Sequence, residues 1–160
     1  MKTEKLLDLF ARNGIKVIFR PLRYSSGGLL QHGGNWYCLV SSTDSFVRQR
    51  WTLAHELGHY LLHARSGVCS LFDEPTQERE ANKYAAELLI PVDQVIACWE
   101  ALNIYPYNKE EKIKILAKEF EVSAQAMEIR IKEVNNVPSS HLVNCICHNL
   151  CLDRAGYRAR

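Results

Sequence analysis

The run His55-Glu56-Leu57-Gly58-His59 constrains this chain more than any other stretch. Two imidazoles four residues apart reach a common metal ion when they lie on a helix, where positions i and i+4 share a face. The apolar spacing around the run is helical, so residues 46–63 are expected to form one long helix. Glu56 directly follows the first histidine and would stand beside the ion, the layout of a zinc peptidase with a base next to its metal. Short patterns of this kind also arise by chance on solvated helices, so the reading depends on a third ligand from elsewhere in the chain.

The chain has 160 residues, 47% hydrophobic and 24% charged, enough for a core that needs no staples. A formal net charge of +2 provides no global electrostatic footprint for nucleic acid or an anionic membrane. Asp8 interrupts the apolar run Leu6-Leu7-Asp8-Leu9-Phe10 and no small-residue cleavage site follows, so a cytoplasmic protein is expected. No stretch approaches the roughly 18 apolar residues that suffice to span a bilayer, and no membrane partner is expected.

Leu6, Leu7, Leu9 and Phe10 mark the buried face of a first helix over residues 3–13, with Gly14 at its stop position. Residues 15–20 are β-branched and aromatic and read as a strand closed by Pro21. His32-Gly33-Gly34-Asn35 separates two further apolar segments in the manner of a hairpin, and residues 36–40 read as a core strand. Helices are expected over residues 76–90, 91–102, 109–120 and 123–134. This order predicts an α+β fold, a small antiparallel sheet packed with zincin-like active-site helices and followed by a helical C-terminal subdomain. The expected divisions are residues 1–106 for the metallopeptidase domain, 107–134 for the helical subdomain and 135–160 for a Cys-rich tail.

A catalytic zinc takes three protein ligands and leaves one position open. A metzincin would continue with glycine at position 62 and histidine at position 65, but the chain has Leu62 and Arg65 there. His63 extends the four-residue series, yet eight residues of helix rise roughly 12 Å. It can reach the ion of His55 only if the helix ends first, so it reads as an outer or helix-end residue. A carboxylate on the next helix would complete a His₂Glu set, with Glu78, Glu80 and Glu87 in competition. Glu80 precedes the small Ala81 and is followed at i+4 and i+8 by Tyr84 and Leu88, which places it on the inward side. An unpaired carboxylate is costly there. Glu78 reads as facing solvent.

His55-Glu56-Leu57-Gly58-His59-Tyr60-Leu61-Leu62-His63, followed by Glu80-Ala81-Asn82-Lys83-Tyr84-Ala85-Ala86-Glu87-Leu88-Leu89-Ile90-Pro91, closely resembles the ImmA/IrrE-type metallopeptidases. The resemblance covers roughly residues 1–134, with Tyr84 standing where that family usually has Phe. It implies that His55, His59 and Glu80 bind Zn²⁺ and that Glu56 is the general base. Tyr60, His63 and Tyr84 are candidates for the electrophile that faces the developing oxyanion. The resemblance further implies a regulatory, site-specific endopeptidase whose protein substrate is a helix-turn-helix repressor of a phage or mobile element.

Residues 115–134 look like a helix-turn-helix, which supports a second reading: a transcription regulator that uses the zincin fold as sensor or scaffold. Glu128 and Glu133 offset Arg130 and Lys132, however, leaving no positive excess for phosphates, so direct DNA binding is not expected. In the tail, Cys145, Cys147, His148 and Cys151 could hold a second, structural metal. Their spacing departs from the usual paired halves, and free cysteines are the favoured reading.

Overall fold

The structure is a computed structural model that describes residues 3–63 and 75–135. The expected tail metal at Cys145, Cys147, His148 and Cys151 lies outside the described residues. The chain divides into two compact units, Met1–Leu89 and Ile90–Arg160.

In the first unit, helix α1 (Thr3–Arg12) buries Leu6 and Phe10 completely and is followed by Gly14 at a φ of +70°. Strands β1 (Ile15–Arg20), β2 (Gly27–His32) and β3 (Asn35–Ser41) form one sheet in the order β1-β3-β2. Gly33 and Gly34 join β2 to β3 with φ of +56° and +75°, the two positive values that a tight type I′ hairpin requires. β2 pairs with β3 antiparallel, as the hairpin signal predicts, but β1 pairs with β3 in parallel. The sheet is therefore mixed rather than wholly antiparallel. The connection after β1 carries the chain past the place beside it, and β3 returns to fill that place. β3, expected as a core strand, is the central one.

Period-two alternation directs Trp36, Cys38 and Val40 to one face of β3, with Cys38 and Val40 fully buried. Helix α2 (Phe46–Leu62) packs against β2 and β3 and buries Leu53, Ala54 and Leu57. Helix α3 (Pro75–Leu89) then packs along α2 through a stripe of Ala81, Ala85 and Leu89, all fully buried.

In the second unit, α4 (Val92–Ala101) runs into a single 3₁₀ turn at Leu102–Ile104. Helices α5 (Lys109–Glu119) and α6 (Ala124–Asn135) follow as a tight pair. α5 begins with a capping box. Asn108 accepts from the Glu111 N–H at 3.0 Å, and Glu111 accepts from the Asn108 N–H at 2.8 Å. Among the described residues, no helix is long and apolar enough to cross a membrane.

Candidate metal centre

The ends of α2 set the register of the histidines. Ser45 caps its start by accepting from the Arg48 N–H at 3.4 Å. The Gln49 amide ties the first turn to the Ser41 and Asp44 carbonyls at 3.1 and 3.0 Å. Farther along, Tyr60 stacks edge-on against Trp36 with ring centroids 5.5 Å apart, and its hydroxyl donates to the Asn13 carbonyl at 3.3 Å. Tyr60 is thus buried and engaged with the sheet side, not with the histidine pair.

With that face fixed, His55 and His59 point together towards α3. Their Nε2 atoms are 3.0 Å apart. The Glu78 carboxylate meets both, with Oε2 at 3.4 Å from His55 Nε2 and Oε1 at 2.9 Å from His59 Nε2. Ligands held 2.0–2.1 Å from a tetrahedral zinc lie about 3.3–3.4 Å from one another. The three observed separations are close to that edge, so these side chains fit a small divalent cation. Among the described residues they are the group of three or more His, Cys, Asp or Glu side chains that could hold one.

Glu80, expected as the third ligand, is directed elsewhere. Its side chain is 56% exposed, and its Oε2 lies 3.5 Å from His63 Nε2. Helical geometry supplies the reason. With 100° per residue, Glu78 lies on one flank of the Ala81–Ala85 stripe and Glu80 on the other. The inward expectation for Glu80 treats Tyr84 as a core position, whereas Tyr84 is only half-buried and it is fully buried Ala81, beside the Tyr84 Cβ, that faces Gly58. Gly58 lets that contact close. A Cβ there would meet the Ala81 Cα at 3.1 Å and its carbonyl oxygen at 3.2 Å, so the two helices approach as near as backbone allows.

α2 ends at Leu62 and leaves His63 as its C-cap, with the His63 N–H donating to the His59 carbonyl at 2.9 Å. The condition for His63 to turn towards the ion is met, yet its ring pairs with Glu80 and stays outside the cluster. Tyr84 stands against α2 at Gly58, and burial pushes its phenol above its ordinary value, so its O–H remains a donor. Glu56 projects from α2 about 100° away from His55, near enough to Cys38 to act on it. Burial first, and then the Glu56 charge, push the Cys38 thiol far up. Burial, followed by the neighbouring His59, holds His55 below its ordinary value and favours the neutral imidazole that binds metals.

Glu78, which on sequence grounds reads as facing solvent, meets both imidazoles, and Asn82, with no role expected, has its Oδ1 3.1 Å from His55 Nδ1. The signal for both is their own spacing. Glu78 and Asn82 are four apart, like His55 and His59, and two such pairs can face each other across a helix contact.

Residues 10–132 match the peptidase M78 family model, described as the IrrE N-terminal-like domain. The chain is 29% identical over 118 residues to "Metallopeptidase ImmA" of Bacillus subtilis (strain 168), covering 69% of this chain and 66% of that protein. It is 31% identical over 96 residues to "Uncharacterized immunity region protein 2" of Bacillus phage phi105, covering 56% of this chain and 61% of that one. The matches thus span a little under two thirds of either relative's length. With a family match over most of its length and a His–His–carboxylate cluster on its two facing helices, the chain belongs to the M78 peptidase family, the ImmA/IrrE type.

Proposed function

We propose that this chain is a zinc-dependent endopeptidase whose metal is held by His55, His59 and Glu78, with Glu56 as its general base. The observation that carries the reading is the convergence of one carboxylate and two imidazoles at 2.9–3.4 Å. Two nitrogens and one carboxylate oxygen form the donor set of a catalytic zinc site, which keeps a fourth position open. A zinc ion bound there would supply Lewis acidity, lowering the pKa of a water towards about 7 and polarising the scissile carbonyl. Glu56, on the helix that carries both histidines, accepts the proton of the attacking water and returns it to the leaving amine.

The substrate we assign is a helix-turn-helix repressor of a phage or mobile element. The resemblance to the ImmA/IrrE type supports it, as does similarity to a phage protein named for an immunity region. A transcription-regulator role for α5 and α6 is less well supported. Arg130, the cation nearest the middle of α6, is buried, with Nε donating to the Ile90 carbonyl at 2.7 Å and Nη1 to Glu133 at 3.0 Å. An arginine held in this way is not presented to phosphates.

The test is cleavage of a purified helix-turn-helix repressor by the zinc-loaded protein. Discrete fragments should appear, and both a chelator and Glu56→Gln should abolish them. Cleavage that survives Glu56→Gln would contradict the assignment of the base.

A further inference from the structure

His55 differs from an ordinary surface histidine in that both of its ring nitrogens are engaged. Nε2 faces His59 and Glu78, while Nδ1 lies 3.1 Å from Asn82 Oδ1. A neutral imidazole carries its one proton on either nitrogen, and only the unprotonated one can bind a metal. With the Asn82 oxygen towards the ring, Nδ1–H is the donor and Nε2 presents its lone pair to Glu78 and His59. Were the amide turned about, its NH₂ would require an unprotonated Nδ1, and the proton would sit on Nε2, inside the cluster.

The backbone makes this pairing possible. Asn82 is four residues after Glu78 on α3, and both lie on the same flank of the Ala81 contact with α2. One helix face therefore delivers a carboxylate to the ion-facing side of His55 and an amide oxygen to its far side.

We infer that Asn82 is a positioning residue: it holds His55 in the Nδ1–H tautomer and at the ring angle that directs Nε2 to the metal. The inference rests on the proposed His55–His59–Glu78 metal site. Outer partners of this kind commonly change metal affinity by about 10–100-fold when removed.

Asn82→Leu removes the acceptor at similar size, and Asn82→Asp keeps an acceptor in the same place. Two readouts on the full chain separate the inference from the reading beneath it. In the metal-free protein, ¹⁵N NMR of His55 should show the proton on Nδ1 in the parent and in Asn82→Asp, and spread over both nitrogens in Asn82→Leu. In zinc competition against a chromophoric chelator, Asn82→Leu should bind about 10–100-fold more weakly than the parent, with Asn82→Asp at or above it.

An Asn82→Leu protein that keeps the Nδ1–H tautomer and parental zinc affinity would overturn the inference. So would an Asn82→Asp protein that loses as much as Asn82→Leu, because the effect would then be packing alone. The metal-site reading fails by a different result, namely Glu78→Gln binding zinc as tightly as the parent.

Discussion

At the scale of single residues, roles follow from which atoms share a volume. Glu78 and Glu80 are chemically identical and two positions apart, but only Glu78 reaches the imidazole pair. Glu78→Gln should therefore weaken zinc binding by at least the 10–100-fold typical of losing an outer partner, and Glu80→Gln by much less, as measured by chelator competition. Glu56→Gln should retain zinc while losing about 10²–10⁴-fold in cleavage rate, the usual contribution of a positioned base. Cys38 gives a prediction in pH. Its thiol is raised above the ordinary value of 9.0 in the folded chain, so folding favours the protonated form. As pH climbs past that ordinary value, the unfolded chain loses this proton before the folded chain does. Stability from this group, complete below about pH 9, should then fall by up to about 1.4 kcal/mol per pH unit. Denaturant titrations between pH 8 and 11 should show that extra slope in the parent and not in Cys38→Ala.

At the scale of elements, the site depends on how closely α2 and α3 approach. Gly58 opposite Ala81 sets that distance, and a methyl at Gly58 would press on backbone 3.1–3.2 Å away. Gly58→Ala should cost about 1–3 kcal/mol in denaturant unfolding, the usual range for overpacking. It should also weaken zinc binding, since displacing α3 moves Glu78. The same contact explains what could be read in advance. The His-Glu-x-x-His helix, the Gly-Gly hairpin and the alanine-rich second helix each have a local pattern, and each formed where its residues predict. The choice between two carboxylates flanking Ala81 is marked locally only by the four-residue spacing of Glu78 and Asn82, because it depends on which side of the alanine stripe turns towards the histidines. The parallel partnership of β1 with β3 escaped for a similar reason. Strand propensity marks Ile15–Arg20 as extended, but pairing is decided by where β3 returns.

At the scale of the whole molecule, the elements that carry the proposed ligands and base lie within the unit Met1–Leu89, on α2, which packs on the sheet, and on α3, which packs on α2. A metal bound only by the folded arrangement should raise the free energy of unfolding by about 2.7 kcal/mol when free zinc is 100 times its dissociation constant. A chelator should reverse that gain. The central claim is structural, that one ion sits among His55, His59 and Glu78, and anomalous scattering from crystals grown with zinc tests it most directly. A peak is expected about 2.0–2.2 Å from His55 Nε2, His59 Nε2 and a Glu78 carboxylate oxygen. A peak held by Glu80 or His63 in place of Glu78, or none at the histidine pair, would contradict it.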